Sequence, residues 1–397
     1  MCNALFEPSR KLSVIGEFDV VVAGGGVAGC AAALAAARNG ASVCLIEKEH
    51  ALGGLATLGL IVVYLPLCDG MGNQVIAGLG EELLKLSVKY GPGEIPVCWR
   101  LPSSLEERAK QRYSLTFNPA SFAIALEELL LQNGVDLLYD NRFCNTVAEE
   151  HRIIGLVVEN KSGRCAVRCK VAVDATGDAD ICHMAGEETV VLNTNRRSGW
   201  FYSFNGQGRQ AEPQISLQTS GDSLYEELPA GSRIFSGVDW RDVSDMNVET
   251  RKIIMQRIKT MTEAEGKEGA YPLVIPSIPQ FRMTRRLKGD IELDESDDKR
   301  IFEDSVGLTG DWRKAGPIYS IPYRALAGRV VGNLLTAGRC ISATTSAWDI
   351  TRVIPTCAVT GEAAGTAAAM AAAAGVAAWD LDIKALQKQL ASQGVIL

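Results

Sequence analysis

Histidine is nearly absent: His50, His151 and His183 are the only three in 397 residues. No two of them have a metal-ligand spacing. The eleven cysteines include no C-x-x-C pair, so no zinc or iron–sulfur centre is expected. An odd cysteine count without paired spacing also excludes a disulfide framework and points to packed thiols in a reducing compartment. Cys165 and Cys169 lie four apart, on one face of an expected strand. Lys/Arg-rich runs are missing too. With a net charge of −7 and a pI of about 5.3, the chain is a poor electrostatic match for nucleic acid. Nothing at the start reads as a signal peptide, because the first apolar run, Phe18 to Ala23, follows a mixed, charged tail. The Ala-rich stretch from Ala363 to Ala378 follows Glu362 and contains Gly365 and Gly375. Alanine is only weakly apolar, so a closely packed buried helix is expected there, not a membrane span. These absences leave a cytoplasmic enzyme acting on a small molecule, large enough for two domains or one composite one.

Against this background "VVAGGGVAGC" (residues 21–30) carries the strongest local signal. A buried strand ("EFDVVVAGG") leads into a helix from Val27 to Arg38, which ends at Asn39-Gly40, and "ASVCLIEKE" supplies a second parallel strand. That is a βαβ unit. In Gly24-x-Gly26-x-x-Gly29 the first glycine permits a tight turn and the second a close approach to a pyrophosphate. The third permits helix–strand packing, and the helix N-terminus faces the negative charge. Glu47 ends the second strand eighteen residues after Gly29, placed to hold ribose hydroxyls and to disfavour a 2′-phosphate.

Further along, a helix is expected over 78–91, between irregular stretches that fill residues 60–114. The α/β pattern returns at "NPASFAIALEELLLQNGVDLLYD", followed by two or three strands with a hairpin turn at Lys161-Ser162-Gly163. From about 186 to 325 the composition shifts, with Trp200, Trp240 and Trp312 among many Gly, Ser, Asp and Arg. A second, mostly β substrate domain is expected there. The first domain then resumes over 326–397 with an apolar strand ("RVVGNLLTAGRCIS"), a long small-residue helix and a terminal helix. The expected fold is thus α/β, with a Rossmann-like dinucleotide-binding domain split into 14–185 and 326–397.

Two features separate FAD from NAD. "GGLAT" (Gly53–Thr57) follows Glu47 directly, a second glycine pair that an ordinary NAD dehydrogenase has no need of. The chain also returns with "VAVDATGDAD", a strand closing on small residues where backbone can cross close to a cofactor. Together these residues resemble the two-dinucleotide-fold flavoproteins with a glutathione-reductase-type domain. They are most similar to the broad family of FAD-dependent oxidoreductases related to fumarate reductase flavoproteins. "FRMTRRLKG", "IPYRAL", "NLLTAGRCIS" and "TRVIPTCAVTGEAAG" look like that family's later blocks, and "LQKQLASQGVIL" like its C-terminus, from which a complete chain is expected.

The resemblance implies that Gly24, Gly26, Gly29, Gly53, Gly54 and Thr57 hold pyrophosphate and that Glu47 holds ribose. It brings Val27, Ala28, Lys48, Ala56, Ala175, Thr176 and Gly177 alongside them. Gly338 and Arg339 fall in the second flavin segment, with Arg352 and Thr356 at the helix whose N-terminus would face the flavin N1–C2=O edge. There are two departures. Ala51 and Leu55 stand where many relatives carry Arg, and Arg339 stands where many carry the Asp that contacts ribitol. His50 precedes the second glycine pair, whereas members with covalent flavin carry a His after it, so the FAD is expected to be non-covalent.

Cys68 alone follows the second glycine pair, and no second G-x-G-x-x-G occurs, which excludes disulfide-reductase chemistry on this fold. Arg282 and Arg285 are candidates to bind a carboxylate or polarise a carbonyl, and Arg324 to approach the flavin. For Arg282 and Arg285 the competing reading is an ion-paired surface strand near "DIELDESDD". Tyr319 and Tyr323 either approach the flavin or serve packing, Trp348, Asp349 and Arg352 either form the substrate-side wall or an Asp–Arg structural bridge, and His183 is either a proton donor or a buried satisfied side chain. The expected activity is hydride transfer between flavin N5 and a small polar or anionic substrate, with an electron partner and any self-assembly left open. A flavoprotein subunit without its own turnover is the main alternative, and a tRNA-modifying flavoprotein the lesser one.

Overall fold

The computed structural model describes residues 5, 7–196, 199–205, 214–218, 233–264, 266 and 269–397. Its centre is a seven-stranded sheet of β1 (Ser13–Ala23), β2 (Val43–Ile46), β3 (Asp136–Leu138), β4 (Arg142–Glu149), β5 (Arg152–Asn160), β6 (Gly163–Asp174) and β7 (Leu334–Thr336). Strands β3, β2, β1 and β6 run parallel in that spatial order. On its other side β6 pairs with two partners in turn. Its first half forms the expected hairpin with β5, which in turn pairs with β4. Its last three residues, Ala172–Asp174, lie parallel to β7. The C-terminal ends of β1, β6 and β7 therefore come together although β7 enters the chain 160 residues after β6. This is the expected Rossmann-like α/β domain, discontinuous in sequence.

The apolar run Val20–Ala23 is buried on both faces, as a central parallel strand must be. Helix α1 (Val27–Arg38) has the bounds the sequence predicts, and its first ten residues are all buried. It lies between the sheet and a long helix near the C-terminus, which explains why seven of its twelve residues are alanine. Four further helices are named here in chain order: α2 (Leu79–Ser87), α3 (Pro119–Gln132), α4 (Trp240–Glu263) and α5 (Ile354–Ala374). Helix α5 is the small-residue helix, buried over sixteen of its residues. A Cβ at Gly361 would lie 2.3 Å from the Ala28 carbonyl oxygen, and one at Gly365 2.0 Å from that of Ala32. Only glycine lets the two helix backbones approach this closely. Among the described residues no helix is long and apolar enough to cross a membrane.

The segment 186–325 carries short strands, as expected, including an antiparallel sheet of Phe201–Asn205 between Gln214–Gln218 and Tyr271–Val274. It also contains the 24-residue helix α4, which the sequence reading did not anticipate. Asp239 caps it by accepting from the amides of Arg241 and Asp242. Only Met246, Thr250, Ile254, Ile258 and Met261 are buried, a single stripe along a helix whose other apolar residues are exposed or half-buried. Strand Arg285–Leu287 pairs antiparallel with Thr189–Val191 in a two-stranded sheet separate from the main one.

Candidate functional site

At the C-terminal ends of β1, β6 and β7 lies a cavity of about 570 Å³. Its inner wall is backbone from the two glycine loops and from the turns after β6 and β7. The loops are clasped to each other: the Gly53 amide donates to the Gly25 carbonyl at 2.8 Å, and Gly26 and Gly53 form a parallel bridge. The Glu47 carboxylate accepts from the Gly25 amide at 2.5 Å and from the Glu49 amide at 2.9 Å. It lines the cavity and is buried, and burial raises its pKa.

The three fingerprint glycines differ in what they need. Gly24 has φ +103° and carries the chain past Ala175, whose carbonyl oxygen would be 2.3 Å from an added Cβ. A Cβ at Gly29 would lie 1.8 Å from the Gly24 carbonyl oxygen, so this glycine serves packing. Gly26 is unlike either. Its φ is −65°, open to any residue, and a Cβ there would meet no atom within 4 Å. Nothing in the described protein requires glycine at 26; the open space belongs to the cavity that Gly26 lines.

Val27, Ala28, Lys48, Gly54 and Ala56 line the same cavity, as do Ala175, Thr176 and Gly177 from the turn after β6. Gly338 and Arg339 close it from the turn after β7, where the Gly338 amide donates to Thr360 Oγ1 at 2.9 Å. The first turn of α5 contributes Ile354 and Cys357, directly after Arg352. Arg352 is bonded to Asp349, yet its Nε is buried with no hydrogen-bond partner among the described residues. An orphaned guanidinium N–H beside a helix N-terminus favours an anionic or carbonyl-bearing ligand.

Besides Gly29, four expected site residues lie off the cavity. Thr57 turns its hydroxyl to the Leu52 carbonyl and packs against Gly53, so it shapes the second loop instead of facing its outlet. Thr356 is fully buried and shares a 2.7 Å hydrogen bond with Thr309, locking the start of α5. Arg282 is tied through its amide to Asn195 Oδ1. Arg324 binds Asp304 through two nitrogens, half exposed, and does not line the cavity. Asp349 and Arg352 also form their structural bridge, while Tyr319 and Tyr323 are buried, the latter donating to the Ala378 carbonyl. His183 departs from the buried reading: it is exposed on the short helix Asp180–Met184.

Arg285 does reach the cavity, bonded to Asp178 and Asp180, which also line it. Burial pushes the Asp180 carboxyl up to about 6, with repulsion from Asp178 and Asp174 added and Arg285 and Lys48 opposing. Because 43% of that side chain is open at the cavity it lines, water there relieves much of this burial cost. Sequence reasoning missed the wall contributed by Val238, Trp240, Val243, Ile278, Pro279 and Phe281. No motif marks these residues; they meet the cavity only through the folding of the 186–325 segment. Asn141, Arg142 and Phe143, at the start of β4, were missed as well; the Asn141 amide donates to the Glu47 carbonyl at 3.0 Å, a pairing no motif marks.

A family model described as "FAD dependent oxidoreductase" matches this chain over residues 19–200 and 192–390. Digeranylgeranylglycerophospholipid reductase 1 of Methanococcoides burtonii is 24% identical over 180 residues, 44% of this chain and 41% of that protein. The digeranylgeranylglycerophospholipid reductase of Methanoculleus marisnigri is 29% identical over 186 residues, 44% of this chain and 42% of that protein. Each match thus spans less than half the length of the relative. A solved geranylgeranyl bacteriochlorophyll reductase-like protein of Thermoplasma acidophilum is 13% identical with a TM-score of 0.46, over 96% of this chain and 84% of that one.

Proposed function

Because the chain belongs to the FAD-dependent oxidoreductase family, we propose that it transfers a hydride between a small organic substrate and the N5 of a non-covalently held flavin. The open space over Gly26 is the observation that carries this: a glycine that no protein contact requires is explained by a pyrophosphate against its backbone. Bound FAD would supply the two-electron chemistry. The chain's own residues would hold it. The α1 amides and the paired glycine loops would cradle the phosphates, and the Glu47 carboxylate would accept from ribose hydroxyls. The first turn of α5 and the Arg352 Nε would offer donors to the carbonyl-bearing flavin edge.

A guanidinium in the cavity supports the polar or anionic substrate expected from sequence, although Arg285 is already engaged by Asp180. A second reading, a lipid-like substrate such as that named in the relatives from Methanococcoides and Methanoculleus, is supported by the apolar wall of Val238, Val243, Ile278, Pro279 and Phe281. The Gly26→Val variant tests the site. Its melting temperature should stay within a few degrees of the parent apoprotein, since the backbone is unstrained and no protein atom is met. Its bound flavin, read from the visible spectrum, should be lost. Full flavin occupancy in a folded variant would overturn the assignment. A parent that binds FAD yet reduces or oxidises no substrate of either class would favour a flavoprotein subunit without its own turnover.

A further inference from the structure

Two arginines and two aspartates converge on one side of the cavity. Arg285, on the strand Arg285–Leu287, donates from Nε to the Asp178 carbonyl at 2.9 Å and from Nη2 to Asp180 Oδ1 at 2.5 Å. The neighbouring Thr284 hydroxyl donates to Asp178 Oδ1 at 2.5 Å. From the turn after β7, Arg339 donates to the Gly177 carbonyl at 2.5 Å, to Asp178 Oδ1 at 3.2 Å and to the Phe281 carbonyl at 3.3 Å. The side chains of Arg285 and Arg339 are only 10% and 17% exposed. Two cations thus match two anions across the line where the 281–287 stretch meets the turn after β6.

That stretch brings the outer wall with it. Gly237 packs so tightly on Thr284 that an added Cβ would lie 1.9 Å from its Cγ2. Asn195 receives the amides of Arg282 and Met283 and donates to the Met283 carbonyl, while its backbone pairs with Phe235. Residues 235–243 and 278–285 are therefore anchored together, and the polar cluster fixes them to the inner wall.

We propose that Asp178, Asp180, Thr284, Arg285 and Arg339 form a latch that holds the outer wall closed on the cofactor, so that its integrity sets the rate at which FAD leaves. Asp178 and Thr284 are positioning residues here. This rests on the reading that FAD occupies the cavity. Thr284 gives the cleanest test because it belongs to the cluster but does not line the cavity, so changing it removes no cofactor contact.

The experiment follows FAD release from the holoprotein after dilution, by the fluorescence of the freed flavin, for the parent, Thr284→Val, Thr284→Ser and Arg285→Gln. Circular dichroism and melting of each apoprotein control for folding. Losing one partner of a largely buried polar contact acts mainly on the off-rate. Thr284→Val should therefore release FAD on the order of tenfold faster, about 1.4 kcal/mol. Thr284→Ser should stay close to the parent, and Arg285→Gln should be at least as fast as Thr284→Val. Should Arg285→Gln not fold, the two Thr284 variants decide the matter alone. Parent-like release by folded Thr284→Val overturns the latch, as does equal acceleration by Thr284→Ser. A parent that binds no FAD at all fails differently, overturning the cofactor reading beneath it.

Discussion

Replacing Glu362 by glutamine should make the protein more stable, by a margin that grows as pH rises from 5 to 8. Glu362 stands within α5, 2% exposed, and its carboxylate accepts the Leu79 amide at 2.7 Å at the start of α2. Burial pushes its carboxyl up to about 7 from an ordinary 4.5, with repulsion from Glu82 added and the Leu79 amide and Arg38 opposing. A carboxyl raised by folding contributes stability that is fully present below the unfolded value of 4.5. That stability is lost as pH rises through about 7. At pH 8 the ionised group therefore costs about 3 kcal/mol, taking 1.36 kcal/mol per unit. Glutamine keeps the volume and the oxygen that receives Leu79, with no charge to desolvate. With an unfolding entropy of about 2.1 cal/mol/K per residue, the gain in melting temperature at pH 8 is about 4 °C. By pH 5, where the folded side chain is already protonated, it should shrink to about 1 °C. Scanning calorimetry of parent and Glu362→Gln between pH 5 and 8 measures this directly. A variant that melts no higher at pH 8, or gains as much at pH 5, would refute the buried, reluctantly ionised carboxylate.

Two further outcomes separate packing from chemistry. Gly365→Leu should lower the melting temperature by 5 °C or more, about 4 kcal/mol on the same entropy scale, or abolish soluble expression, because its Cβ would press into the Ala32 carbonyl. Arg324→Gln should leave flavin affinity unchanged in a fluorescence titration and shift stability by less than about 1 kcal/mol, as a half-exposed pair does; a tenfold loss of affinity would restore that residue to the site.

What was legible in the sequence follows from how local each signal is. Gly24, Gly26, Gly29 and Glu47 lie within one βαβ unit, so spacing alone gives their elements and the cavity that Gly24, Gly26 and Glu47 line. The alanine and glycine of α5 announce close helix packing, and the backbone distances at Gly361 and Gly365 bear this out. Arg324 could not be placed in the same way. Its partner Asp304 lies on another stretch, and only the folded chain decides whether a guanidinium meets a carboxylate or a cavity. Helix α4 escaped because five buried residues in twenty-four leave too thin an apolar stripe to read against charged neighbours. Thr57 and Thr356 were right in position and wrong in direction: a hydroxyl beside a cofactor loop can support that loop from behind, and no spacing distinguishes the two.

The way β7 and α5 complete the cavity also governs when it can exist during synthesis. Residues up to 178 can pair β1, β2, β3 and β6 as they leave the ribosome. The seat over Gly26 still lacks Gly338, Arg339 and the first turn of α5, and the Ala28 and Ala32 face of α1 has nothing packed on it. At roughly 5–20 residues per second, about 200 further residues take on the order of 10–40 s to emerge. During that interval the nascent chain displays an apolar helix face and an unfinished nucleotide seat. Cofactor loading is then a late event, coupled to the arrival of about the last sixth of the chain, and a ribosome stalled before residue 354 would hold a chain that flavin cannot rescue.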